Sequence, residues 1–146
     1  MHDINLLFII LPLCIIMMSE LMKESVNRRR QVENEVVFKH ANEKVNKQVD
    51  AIQKSAKSEG YPELAYDNDL PLHFYCECAD EECQDRISMK QTLYKKMHKN
   101  SNQFIVLPGH NVPEIEKIIK TTKQYTLVEK YLPVPKQVTG LKHTIK

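Results

Sequence analysis

Apolar and polar positions alternate along the chain in three different ways, and each predicts a different element. From Ile4 to Met18 the run INLLFIILPLCIIMM is apolar except for Asn5, with Pro12 in its middle. A membrane-spanning helix takes about 20 apolar residues, so this run is short. A cleaved secretory signal takes basic residues before its apolar stretch and small residues after it. Here His2 and Asp3 precede the run and Ser19-Glu20-Leu21 follow it, which argues against cleavage. Residues 1–18 therefore read either as a short anchor touching a membrane through residues 4–18 or as an over-extended start, with Met17, Met18 and Met22 as alternative first residues. Lys23 and Arg28-Arg29-Arg30 lie after the run, and by the positive-inside rule an anchor would leave the main domain in the cytoplasm. The expected location is thus cytoplasmic, or membrane-anchored with the main domain in the cytoplasm.

The second pattern has the helical period. Val32, Val36, Phe38, Ala41, Val45, Val49, Ile52 and Ala56 recur at intervals of mostly three or four, which predicts a long amphipathic helix over residues 19–58. Its narrow apolar stripe suits packing on the domain that follows, or a coiled-coil seam with a partner protein or a second copy. Gly60, Pro62 and Pro71 then punctuate residues 59–71 as a linker.

The third pattern is mixed and predicts a compact α+β unit over residues 72–132. Ser88 suits the N-cap of a short helix from Met89 to about Lys99, with Leu93, Tyr94 and Met97 on its apolar face. Gln103–Leu107, apolar from Phe104 onward, has the composition and length of a buried strand. Pro113 opens a segment carrying Ile115, Ile118 and Ile119, and Thr121–Gln124 forms a turn leading to a β-rich return strand, Tyr125–Tyr131. Residues 133–146 show little periodicity and read as a basic tail.

Composition narrows the function classes. With 146 residues, no Trp and 42% apolar residues, the chain can build one modest core. The net charge of +2 excludes a bulk polycation, but it conceals a polarity. Residues 59–85 hold nine acids and no Lys or Arg, whereas residues 86–146 hold twelve bases against three acids. That basic half offers a second function class, nucleic-acid binding through Lys90, Lys95, Lys96, Lys99, Lys117, Lys120 and Lys123. No GxGxxG, P-loop, HExxH, GxSxG or EF-hand pattern occurs, so the sequence points to no catalytic residue and to an interaction or regulatory module rather than an enzyme.

The candidate chemistry lies in His73-Phe-Tyr-Cys76-Glu-Cys78-Ala-Asp-Glu-Glu-Cys83. In an extended chain Cys76 and Cys78 share a face, and the turn-forming ADEE can return Cys83 beside them. Three converging sulfurs suit a soft tetrahedral ion, for which Zn²⁺ is the default. His110 is favoured as the fourth ligand because Pro108-Gly109 delivers it from the end of a strand. His73 falls on the opposite face from Cys76, and His98 lies on a Lys-rich helix expected to face solvent. Acids around the thiols disfavour a reactive thiolate, which weakens a catalytic cysteine more than a zinc site. A thiol redox sensor closing Cys78 onto Cys83 stays open as a third reading.

The order of FYCECADEECQDRISM, QFIVLPGH, PEIEKII and YTLVEKY, with an upstream Phe38-Lys-His-Ala-Asn42-Glu43, resembles a group of small uncharacterised bacterial proteins carrying CEC…C, a PGH strand exit and a VEK strand. The resemblance covers about residues 30–132 and supplies no activity. It implies a bacterial, mainly cytosolic protein in which Cys76, Cys78, Cys83 and His110 belong together. The expected fold is thus α+β: a long N-terminal amphipathic helix followed by a small mixed α/β domain stapled by a structural zinc ion.

Overall fold

A computed structural model describes residues 5–61 and 71–134, with side chains from residue 15 onward. The linker and tail expected over 59–71 and 133–146 fall mostly outside these residues, as do residues 1–4. The fold is α+β, as expected. The elements are α1 (Asn5–Ser58), β1 (Pro71–Tyr75), β2 (Arg86–Lys90), α2 (Gln91–Met97), β3 (Gln103–Val106), β4 (Glu116–Thr121) and β5 (Thr126–Lys130). The chain divides into two units, residues 1–30 and 31–146. The first contributes the early turns of α1. The second holds the later turns, all five strands and α2.

Within the second unit β1 and β2 form an antiparallel hairpin that pairs Leu72 with Met89 and Phe74 with Ile87. Those residues share one face of the ladder and enter the core, while His73 and Ser88, paired on the other face, are exposed. Ser88 is therefore a strand residue and not a helix cap. The period-two spacing of Ile87 and Met89 carries the strand on to Lys90, and α2 begins at Gln91 without a side-chain cap bond. The other strands form an antiparallel sheet in the order β3-β5-β4, with β5 between its partners. Phe104–Val106 of β3 are buried as their apolar run predicts, and Gln103 is half-buried. The return hairpin also forms. Thr122 closes it by donating its backbone N–H and its hydroxyl to the Tyr125 carbonyl, both at 2.8 Å. Phe74, Ile87, Tyr94, Phe104, Ile105, Val106 and Val128 form the dry centre of the core, together with Val36 from α1.

The long helix starts earlier than its periodicity suggests, at Asn5, and its most deeply buried stripe is polar. Glu35, Lys39, Asn42 and Asn46, spaced four, three and four residues apart, are buried, whereas Val45 and Val49 are half-buried and Ile52 is exposed. Hydrogen bonding accounts for the inversion. Lys39 donates to the carbonyls of Ser101 (2.6 Å) and Gln103 (3.0 Å), and Asn34 donates to that of Ala79 (3.1 Å). Asn42 donates to the Tyr75 carbonyl at 3.0 Å and accepts from the Tyr75 N–H at 2.7 Å, so its amide acts as a strand neighbour where β1 ends. Asn34, Lys39 and Asn42 are tolerable in the interior because each meets such a partner, and Glu35 pairs with Lys130, whereas the side-chain oxygen of Asn46 has no hydrogen-bond partner among the described residues.

Candidate metal centre

The loop of the β1–β2 hairpin, residues 76–85, builds the site. Cys76 donates its backbone N–H to the Asp85 carbonyl at 3.0 Å, which closes the ladder behind the loop. Asp80 then turns the chain, accepting the Glu82 N–H on its side chain (3.0 Å) and the Cys83 N–H on its carbonyl (3.2 Å). That turn returns the third sulfur to the first two. His110 arrives from the exit of β3. Leu107-Pro108-Gly109-His110 is a tight turn closed by His110 N–H to the Leu107 carbonyl at 3.0 Å, with Gly109 at φ +85°. Proline followed by a left-handed glycine is the type II pattern, which few other residues can adopt at that glycine.

The ligand atoms of Cys76, Cys78, Cys83 and His110 all lie within 4.8 Å of one another. His110 Nδ1 is 3.6 Å from Cys76 Sγ and 3.7 Å from Cys83 Sγ. With Zn–S near 2.3 Å and Zn–N near 2.0–2.1 Å, the edges of a tetrahedral site measure about 3.5–3.8 Å. The two edges from His110 therefore have tetrahedral length. The three cysteines are buried and free of disulfides, and His110 is half-buried. His73 is exposed and stands apart from the set.

The thiols are electrostatically coupled. Cys78 is pulled down to about 5, chiefly by the hydrogen bond from the Cys76 thiol and further by one from His110. Cys76 is pushed up, as the donor of that bond and by burial, and burial pushes Cys83 up to about 11. One negative charge thus settles among three sulfurs, and further thiolates need a cation between them. The Leu107 N–H, 3.2 Å from Cys76 Sγ, supplies a backbone donor to the same cluster.

A second group of residues, hidden from sequence reasoning, lies on the other side of the loop. Glu77 sits between two of the cysteines but points away from them and is fully buried. Its carboxylate accepts from Asn42 Nδ2 (3.0 Å) and Tyr94 Oη (2.6 Å) on one oxygen, and from the Ile105 N–H (2.9 Å) and His98 Nε2 (2.8 Å) on the other. His98 is accordingly not on a solvent-facing surface. Its ring stacks on Tyr94 at 3.9 Å, and its Nδ1 meets the Tyr94 carbonyl at 3.0 Å. Both ring nitrogens thus face oxygen acceptors, the Tyr94 carbonyl and the Glu77 carboxylate. Burial alone would raise the Glu77 carboxyl. The His98 charge, then hydrogen bonds from His98, Tyr94 and Asn42, outweigh it and hold Glu77 below the ordinary carboxylate value.

The lysines of the basic half are spread over separate elements. Lys95 and Lys96 are on α2, Lys99 follows it, Lys117 and Lys120 are on β4, and Lys123 is in the turn after β4. Lys95 pairs with Asp50 at 2.6 Å and Lys117 with Glu129 at 3.7 Å.

Fold and site together define a small α+β unit carrying a buried Cys₃His cluster able to hold a metal ion. Comparison with protein-family models, with curated proteins and with solved structures found no match to this chain.

Proposed function

We propose that the chain is a small cytoplasmic, non-enzymatic interaction or regulatory module whose α+β unit is fastened by a structural zinc ion. The observation that carries this reading is the convergence of Cys76, Cys78, Cys83 and His110 within 4.8 Å of one another, with the His110 edges to Cys76 and Cys83 at the length of a zinc tetrahedron's. Four protein ligands fill the shell and leave no open position for a substrate or an activated water, which is the arrangement of structural rather than catalytic zinc. The chemistry of the set favours zinc over harder ions, since thiolates select soft or borderline cations. Zinc at this place ties the hairpin loop to the exit of β3, two parts of the core separated by a helix in sequence. Interaction then falls to surfaces away from the ion, chief among them the exposed side of α1 around Ile52, which suits a partner protein or a second copy.

Elemental analysis of the full chain, purified under reducing conditions and repeated after zinc reconstitution, tests the reading. One zinc per chain is expected in the parent, with loss of stoichiometric metal in each of Cys76→Ser, Cys78→Ser, Cys83→Ser and His110→Ala. No bound metal after reconstitution, with a Cys78–Cys83 disulfide forming under mild oxidant, would replace the zinc module by a thiol sensor.

A further inference from the structure

In the first unit the helix exposes apolar side chains all the way round. Ile15, Ile16, Met17 and Met18 are consecutive, and each is between 58% and 69% exposed. Successive residues on an α-helix are displaced by about 100°, so these four cover the whole circumference. Leu21, Met22 and Val26 continue the exposure toward the next turns. Ahead of them the sequence holds no polar residue from Leu6 onward.

The covering such a helix needs follows from its shape. A partner helix buries a stripe about a third of a turn wide and leaves the opposite face in water. A bundle of copies likewise needs a polar outer face, and Leu6–Met18 has none to offer. Hydrocarbon covers every side equally. The residues that follow have the sign a lipid surface selects. Lys23, Arg28, Arg29 and Arg30 stand against Glu20 and Glu24, leaving a positive collar in the helical turns next to the apolar stretch. Such collars are attracted to anionic headgroups.

We propose that the early part of α1 inserts into an anionic lipid bilayer, with Ile15–Met18 in the hydrocarbon and Lys23 and Arg28–Arg30 at the headgroups. Insertion here is not a crossing. Among the described residues no helix is long and apolar enough to span a membrane, and the thirteen residues Leu6–Met18 measure about 20 Å, less than a hydrocarbon core of about 30 Å. Neither the zinc reading nor its failure bears on this inference, since the two concern different units.

Flotation of the full chain with vesicles tests it. The chain should float with vesicles of phosphatidylcholine and phosphatidylglycerol, less with phosphatidylcholine alone, and the difference should shrink at high salt. Replacing Ile15, Ile16, Met17 and Met18 together by Ser should lower flotation at least about tenfold on both vesicle types while the thermal transition stays unchanged. Arg28→Glu, Arg29→Glu and Arg30→Glu combined should lower it on anionic vesicles alone. A parent chain that stays at the bottom of the gradient would overturn the proposal. So would equal flotation of parent and Ser variant, or a lipid-free oligomer that hides the apolar stretch and does not float.

Discussion

Glu77 concentrates more interactions than any other side chain near the site, and its neighbours in the chain conceal it. Four donors from α1, α2, β3 and the residue after α2 meet one carboxylate that water does not reach. Replacing it by Gln keeps the volume but turns one acceptor into a donor that faces donors. Breaking a buried charged pair in this way costs about 3–5 kcal/mol, so Glu77→Gln should lower the free energy of unfolding by that order in denaturant titration. Tyr94→Phe retains the stacking on Phe74 and His98 and removes one hydrogen bond to a charged group, so a smaller loss of about 1.5–3 kcal/mol is expected. At this scale the sulfurs and His110 were legible, because C-x-C-x4-C and a Pro-Gly turn are constraints local to the sequence. Glu77 was not. It is one of four acids among the cysteines, and only the fold shows which of them turns inward. His98 was misplaced for the same reason: a Lys-rich neighbourhood suggests water, but the ring is drawn in by a carboxylate 21 residues earlier in the chain.

Elements show where local pattern and tertiary demand disagree. The β4–β5 hairpin and β3 followed their alternation and turn residues closely, whereas β2 takes up residues read as the cap and first turn of a helix. Helix α2 starts later than expected because pairing with β1 holds Ser88 in a ladder. In α1 the apolar stripe located the helix but not the face that packs most deeply. That face carries Glu35, whose carboxyl approaches the Lys130 ammonium, itself in contact with Glu116. One lysine stands between two buried acids, and the Glu35 Oε1 atom has no hydrogen-bond partner among the described residues. Burial pushes the Glu35 carboxyl up to about 8, against the opposing pull of Lys130. The unfolded chain gives up this proton near 4.5 while the folded chain keeps it to about 8. The folded state therefore binds more protons across that window, and stability falls as pH rises through it. A difference curve between the parent and Glu35→Gln, from thermal unfolding at successive pH values between 5 and 8, should show the parent losing stability relative to the variant. A flat difference would mean that Glu35 ionises normally.

For the molecule as a whole, stability rests on the core of the second unit. The core of the second unit is small and has no Trp, and such cores are commonly reinforced by a bound ion. Because a structural metal binds the folded state and not the unfolded one, its binding energy becomes folding energy. Chelation of zinc from the reconstituted protein should lower the melting temperature by more than 10 °C, about the effect of losing several kcal/mol in a domain of this size. Circular dichroism before and after verified metal removal checks it, and an unchanged transition would detach the cluster from stability. The general class of the fold was readable from the order of patterns. The division of the chain near Arg30 was not, since one unbroken helix runs through it and no Gly or Pro marks it.

Backbone alternation at Cys76-Glu77-Cys78 has a thermodynamic consequence. Sulfur faces one way and carboxylate the other, so three adjacent residues grip a candidate ion with one hand and, through Asn42, the long helix with the other. Grips that share a backbone are linked, and linkage is reciprocal. With an ion held there, any ligand that pulls the Asn42 region of the helix outward would weaken the ion's binding by the factor by which the ion strengthens the helix's hold, and the occupancy of the site would gauge what the helix is touching.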